Sequence, residues 1–276
     1  MAALVLSLLL VLAQPHSPLL TREPGQGGVY VIAHRGVHEG IPENTLAAYR
    51  RAIELGADFV EIDLRETKDG HLVSIHNATV DAYTKDAEGP VKSFTLAELK
   101  ALDIGSRIGE EWAEERVPSF EEILQLCKGK IGIYLDLKQG DVEEILTLIR
   151  HYKMEKDVIW YAGARPLRQL RKQCPQCLPM PEIGAGENLP RILGMYTPEV
   201  AASTWKYVSE QLVKSCHAAD ILLIVDDDGP DTWEDMLAWG VDGIQTDHAA
   251  LLIERLKRFK GSSATDNYRQ RQKEKR

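Results

Sequence analysis

The sequence predicts an α/β fold of the (β/α)8, or TIM-barrel, type, and three observations predict it. From Val29 onward short apolar runs alternate with amphipathic stretches, about eight such pairs can be counted, and the chain has 276 residues. Alternation at this spacing implies right-handed βαβ units and a parallel sheet, and roughly 250 residues is the usual size of one closed barrel. No G-x-G-x-x-G follows the first apolar run, so a dinucleotide-binding doubly wound sheet lacks its fingerprint.

The elements follow in order. Val29 to Ala33 (VYVIA) is a continuous apolar run, suited to a strand covered on both faces. NTLAAYRRAIELG reads as a helix with Asn44 as its cap and Gly56 as its stop. Phe59 to Arg65 alternates, with Val60, Ile62 and Leu64 on one face and Glu61 and Asp63 on the other. Leu72 to His76 reads as a further strand. The segment from Asn77 to Pro118 is long for a connection and is expected to form a small insertion over the barrel mouth, with a helix at Leu96 to Leu102. Then come a helix at Phe120 to Cys127, a strand at Ile131 to Leu137, a helix at Val142 to Tyr152, and a strand at Val158 to Ala162. A helix at Pro166 to Gln173 and a weaker strand at Leu178 to Ile183 follow. Ala201 to Val208 is the next strand, Glu210 to Ala218 a helix, and Ile221 to Val225 a strand. Thr232 to Trp239, Gly243 to Thr246 and Ala249 to Phe259 complete the series as helix, strand and helix.

The ends read differently. Residues 1–13 (MAALVLSLLLVLA) are apolar, uncharged and short for a bilayer span, and Val11 and Ala13 place small residues where a signal peptidase reads. Residues 1–28 are thus expected to be a signal-like leader, implying a secreted or periplasmic protein. A membrane-anchoring stub or a misassigned start is the alternative, with a cytoplasmic or membrane-associated placement. Residues 29–260 form the barrel domain, and 261–276 are polar and basic, expected as a disordered tail. The formal charge of −9 argues against nucleic acid as a partner. Of four cysteines, Cys174 and Cys177 form a lone C-x-x-C with no second pair for zinc. In an exported chain they can pair; idle thiols are the other reading.

Chemistry in a barrel collects at the C-terminal ends of strands. Here those ends carry His34-Arg35-Gly36, Glu61 and Asp63, His76, Asp136 with Lys138 beyond it, and Thr246-Asp247. Each alone has a bland reading as a solvated or capping group. Together, Glu61, Asp63 and Asp136 make an all-oxygen set that suits Mg2+ or Ca2+ better than zinc. His34 and His76 add two groups that titrate near neutrality, as acid–base catalysis requires.

The stretch from Ala33 to Asn77 resembles the signature of the glycerophosphodiester phosphodiesterases. The shared pieces are HRG, PENT, GAD-x-x-E-x-D, T-x-DG and a following His, in order; FTLAELKALDIG, VPSFEEIL, Asp136-x-Lys138 and GVDGIQTD extend the similarity to about Phe259. The resemblance implies a TIM barrel with a small insertion and one divalent cation, Mg2+ or Ca2+. It implies Glu61, Asp63 and Asp136 as metal ligands with Glu43 as a further candidate, and His34 and His76 as the acid–base pair. Arg35 and Lys138 would face the phosphate or the attacking hydroxyl, and Gly36 would let backbone approach the site. The implied reaction is metal-dependent hydrolysis of glycerophosphodiesters to sn-glycerol 3-phosphate and an alcohol, through a cyclic phosphate. A lysophospholipase D or sphingomyelinase D-like activity on the same barrel, and a non-catalytic polyol-phosphate binding protein, are the rival expectations. The oligomeric state is open. Three positions depart from the pattern: Asn77 where Asp is usual, Ala82 where Arg is frequent, and Asp136 where Glu is common. ILLIVDDDG replaces a tryptophan-containing strand, so Asp226, Asp227 and Asp228 are candidates to line the pocket and favour a cationic headgroup, against a bland reading as surface charge.

Overall fold

A computed structural model of the chain describes Leu20 and residues 22–259. The apolar run of the expected leader and the tail from 261 lie outside the described residues. In chain order the elements are β1 (Tyr30–Ala33), α1 (Leu46–Leu55), β2 (Phe59–Glu66), β3 (Leu72–Ser74), α2 (Leu96–Ala101), α3 (Phe120–Cys127), β4 (Gly132–Leu137), α4 (Val142–Tyr152), β5 (Val158–Tyr161) and α5 (Ala164–Gln173). They continue with β6 (Leu178–Met180), α6 (Leu189–Tyr196), β7 (Val200–Thr204), α7 (Glu210–Ala218), β8 (Leu222–Asp226), α8 (Trp233–Trp239), β9 (Gly243–Thr246) and α9 (Ala249–Lys257).

Eight of these strands run parallel in the order β6-β5-β4-β2-β1-β9-β8-β7. The two ends of this sheet meet at a single parallel bridge between Glu182 and Ala202, with Ile183 N–H donating to Ala202 O at 2.8 Å and Ala202 N–H to Pro181 O at 3.0 Å. The result is the nearly closed (β/α)8 barrel that the alternation predicts. Outward strand residues such as Val31, Val60, Ile62, Leu64, Ile133 and Leu135 pack against the helix layer, which buries Ile123, Ile145, Leu170, Val213, Met236 and Leu252. Inward residues Tyr30, Ile32, Phe59, Tyr134, Ile159, Met180 and Ile224 fill the lower interior, and Leu20 joins them. Burial of this kind stabilises by about 25 cal/mol per Å2 of apolar surface, so both faces of every strand favour the ring. Gly132 is required there: a Cβ would lie 2.3 Å from the Phe59 ring.

Several elements differ from the sequence expectation. The strand read at 72–76 is only Leu72–Ser74, and it pairs antiparallel with β2, off the ring. Its period fits a strand but says nothing of direction. The barrel helix absent from the sequence expectation is α6, the fifth in chain order. Pro190 and Gly194 disguise it, yet Pro190 falls in the first turn, where no backbone donor is needed. The next strand is Val200–Thr204 and ends before Trp205, which leaves the sheet to stack on Trp239 at 5.6 Å and 9°. Thr45, not Asn44, caps α1, accepting from Ala48 N–H. The 77–118 excursion has a small core of its own, including Val80, Tyr83, Leu99 and Ile104. It is pinned to the β1–α1 loop by Trp112 Nε1, which donates to Gly40 O at 2.9 Å. Cys174 and Cys177, just beyond α5, form a disulfide.

Candidate active site

The C-terminal end of β1 turns sharply. Arg35 (φ 54°) and Gly36 (φ 80°) both adopt left-handed backbone, a conformation costly for a side-chain-bearing residue. The strain is offset by the Arg35 N–H, which donates to Glu61 Oε2 at 2.7 Å. Gly36 is also required by packing: a Cβ would meet Ala48 Cβ of α1 at 2.7 Å, so the glycine admits the helix to the turn.

β2 alternation turns Glu61 and Asp63 inward, and β4 sets Asp136 beside Asp63 in register. One carboxylate oxygen from each of Glu61, Asp63 and Asp136 lies within 4.8 Å of the others. Burial and the neighbouring charges of Asp63 and Asp136 push Glu61 well above the usual carboxylate range. Burial also raises Asp136, against the opposing pull of Lys138. Asp63 is the exception: burial is outweighed by hydrogen bonds from His76 and Asn44 and the charges of His76 and Lys138, which hold it near 2. Three carboxylates this close repel one another when ionised, so protonation or a nearby cation must offset their charge. Lys138 supplies one charge, with Nζ 2.6 Å from Asp136 and 3.2 Å from Asp63. The all-oxygen donor set, with Glu61 and Asp63 buried, fits a hard divalent ion. Asp136, although shorter than Glu, reaches the cluster.

Two imidazoles flank the carboxylates. His34 Nδ1 is 2.6 Å from Asp247 Oδ1, and His76 Nδ1 is 3.0 Å from Asp63 Oδ1. In both rings Nδ1 is engaged, which leaves Nε2 for proton exchange. Burial alone would lower His34, but the Asp247 hydrogen bond and the Glu61 charge override it and raise the ring to about 9. Arg35 pairs with Glu43 at 3.3 Å and lies 3.7 Å from Asp63, while its Nε has no hydrogen-bond partner. Glu43 is thus engaged by Arg35 and by the Tyr83 hydroxyl at 3.2 Å, and stands outside the three-carboxylate cluster.

His34, Arg35, Glu61, Asp63, His76, Asp136 and Lys138 all line one cavity of about 230 Å3 at the barrel mouth. Glu43 does not line it. A larger open hollow of about 690 Å3 lies between Gly70–Leu72 and the starts of α3 and α4; it gathers none of these groups. The remaining wall of the mouth cavity holds residues the sequence reading missed, Tyr161, Glu182 and Gln245, together with Asp226. Of the aspartate triplet only Asp226 faces the cavity; Asp227 accepts from Trp233 Nε1, and Asp228 is exposed. Two supporting groups carried a weak sequence signal. Asn44 of PENT donates to Asp63 Oδ2 at 2.9 Å, and Asp247 follows the last strand. Asn77 contributes its backbone N–H to Tyr83 Oη at 3.0 Å.

The parallel barrel thus holds, at its mouth, a carboxylate cluster between two carboxylate-tethered histidines, an arrangement equipped for acid–base chemistry. A model described as the glycerophosphoryl diester phosphodiesterase family matches residues 34–172. A glycerophosphodiester phosphodiesterase of Caldanaerobacter subterraneus subsp. tengcongensis is 38% identical over 234 residues, covering 81% of this chain and 96% of that protein. A crystal structure of glycerophosphodiester phosphodiesterase from Agrobacterium tumefaciens superimposes with a TM-score of 0.72 at 26% identity, over 82% of this chain and 99% of that one. An Oleispira antarctica phosphodiesterase, solved in complex with the product sn-glycerol-3-phosphate, shares the fold with a TM-score of 0.75 at 23% identity, over 82% and 96% of the two chains. The chain belongs to the glycerophosphoryl diester phosphodiesterase family.

Proposed function

We propose that this protein hydrolyses glycerophosphodiesters to sn-glycerol 3-phosphate and an alcohol, with His34 and His76 as its acid–base pair and Glu61, Asp63 and Asp136 holding one divalent cation, Mg2+ or Ca2+. One observation carries the reading: two imidazoles, each tethered through Nδ1, share a small cavity with three converging carboxylates. Family membership and the 38% identical relative, itself a glycerophosphodiester phosphodiesterase, support the substrate class.

When held by Glu61, Asp63 and Asp136, the cation would supply positive charge to offset the negative charge building on the phosphoryl group. His34, held protonated at neutral pH by Asp247, is the acid. His76, oriented by Asp63, is the base. His76 takes the proton of the glycerol 2-hydroxyl as its oxygen bonds to phosphorus; the bond to the departing alcohol breaks, and His34 protonates that oxygen. The resulting cyclic phosphate is opened by water, with the two rings exchanging roles. The Arg35 guanidinium, which lines the cavity between Glu43 and Asp63, supports contact with the phosphate. Lys138, between Asp63 and Asp136, supports a role in screening the carboxylates or meeting the attacking hydroxyl. Of the residues lining the cavity only Ala202 is aliphatic, which favours a water-soluble diester over a lysophospholipid. The Cys174–Cys177 disulfide supports an exported protein, because such bonds persist in oxidising compartments.

The test is turnover of glycerophosphoethanolamine and lysophosphatidylcholine by the purified protein, with chelator and with added Mg2+ or Ca2+. His34→Ala and His76→Ala should each lower kcat by about 10²–10⁴-fold. Near wild-type turnover in either variant removes the acid–base assignment, and chelator-insensitive turnover removes the metal.

A further inference from the structure

The cavity has two unlike halves. Glu61, Asp63 and Asp136 lie on β2 and β4, whereas Glu182, Asp226 and Gln245 lie on or just beyond β6, β8 and β9, with Asp226 opposite Gln245 in register. Glu182 accepts from the Tyr161 hydroxyl at 3.2 Å and from Gly184 N–H at 2.7 Å. Asp226 accepts from Gln245 Nε2 at 3.0 Å. Among the described residues neither carboxylate has a basic partner within ion-pair distance. Burial raises both above the usual carboxylate range, and the charge of Asp226 raises Glu182 further.

A second, independent feature is Gln245. It is only 7% exposed, its amide nitrogen is committed to Asp226, and its Oε1 has no hydrogen-bond partner. Rotating the amide would turn its oxygen toward the Asp226 carboxylate, so the free acceptor is fixed by its neighbour. A buried acceptor without a donor has lost its water and gained nothing in return, so a ligand N–H that reaches it is favoured. Two carboxylates without an ion-pair partner and a glutamine whose carbonyl lacks a donor therefore belong to the lining of the same cavity. The adjoining wall is aromatic: the Tyr134 and Tyr161 rings are 5.8 Å apart. Two carboxylates and an amide oxygen form a poorer divalent-metal set than the three carboxylates opposite. They match an ammonium, and the orphan carbonyl selects one that still carries N–H donors. A quaternary ammonium has none to offer Gln245.

We propose that Glu182, Asp226 and Gln245 form a leaving-group subsite that selects alcohols bearing a primary ammonium, so that glycerophosphoethanolamine-type diesters are preferred over choline and uncharged analogues. This rests on the hydrolytic reading above and adds the substrate's other half. Charge-assisted hydrogen bonds of this kind are worth about tenfold to a hundredfold in discrimination.

The experiment compares kcat/KM for glycerophosphoethanolamine, glycerophosphocholine and glycerophosphoglycerol in the wild type, Asp226→Asn, Glu182→Gln and Gln245→Leu. In parallel, ethanolamine and choline alone are titrated by calorimetry. The wild type should favour the ethanolamine diester by at least about tenfold, and each variant should reduce that ratio. Ethanolamine should bind the wild type, and choline more weakly, in a manner lost in Asp226→Asn. Turnover without headgroup preference, or a preference untouched by all three variants, overturns the subsite while leaving the hydrolytic reading intact. Selective ethanolamine binding with no turnover of any diester supports the subsite and removes the hydrolytic reading. A divalent ion whose binding is lost in Asp226→Asn, with no ethanolamine binding, assigns these residues to a metal and overturns the subsite.

Discussion

Asp247 and His34 meet at 2.6 Å across 213 positions of sequence, one just after the last barrel strand and the other just after the first. β1 and β9 are neighbours in the ring, so their parallel pairing is what brings the carboxylate to the imidazole. The pair predicts a pH effect. An acid must be protonated to act, so activity should fall as pH rises through about 9, where His34 loses its proton. Asp247→Asn removes an interaction that raises His34. The alkaline limb of kcat should then move down by about one unit or more, with KM little changed. A pH–rate profile checks this; an unmoved limb dissociates Asp247 from the ring's protonation.

Asn44 is 2% exposed and accepts from Tyr49 Oη and Ser74 Oγ at 2.9 and 2.7 Å while donating to Asp63. Asn44→Ala should cost about 2–4 kcal/mol in urea denaturation, since several buried groups lose partners. Its φ of 54° adds about 1 kcal/mol for alanine. Asn44→Gly relieves the backbone share, so the difference between the variants measures that share, and the cost that remains in Asn44→Gly measures the lost hydrogen bonds. Divalent-ion affinity should also fall about 10–100-fold, because Asp63 loses its orienting donor.

Saturating Mg2+ or Ca2+ should stabilise the fold, because a cation relieves three crowded carboxylates. At a concentration of about 100 times Kd the gain is about 2.7 kcal/mol, or roughly 5–10 °C in melting temperature for a chain of this size. Glu61→Gln should abolish most of that shift. A melting temperature indifferent to divalent ions in the wild type contradicts the site.

Gly36→Ala should destabilise by about 2 kcal/mol or more, since it combines a left-handed φ of 80° with a 2.7 Å contact to Ala48. Activity should drop with stability, because the adjacent His34 and Arg35 ride on the same turn. Thermal melts and turnover on one preparation test both.

What the sequence made legible was governed by local rules. Period-two alternation turned Glu61 and Asp63 inward, and the continuous apolar runs marked strands covered on both faces. The hidden parts depended on the ring. That β3 folds back antiparallel is a matter of pairing, which periodicity does not encode. Asn44 looked like a helix cap because capping residues are recognised by type; its left-handed backbone sends its side chain to Asp63 and leaves the cap to Thr45. Glu182 and Gln245 are each a single polar residue at a weak or short strand; pairing of β8 with β9 sets Gln245 beside Asp226, and only closure of the barrel at β6 and β7 brings Glu182 to the same cavity.

The joint between β6 and β7 has one bridge, against six paired positions between β2 and β4. Transient breathing of the cylinder should therefore begin there, with amide hydrogens of Ile183 and Ala202 exchanging faster than those of Ile62 or Leu135. Glu182 is on that joint and Asp226 is one strand past it. A small molecule gripped by both would act as a clasp across the split, and its arrival would register as slowed exchange at Ile183 and Ala202.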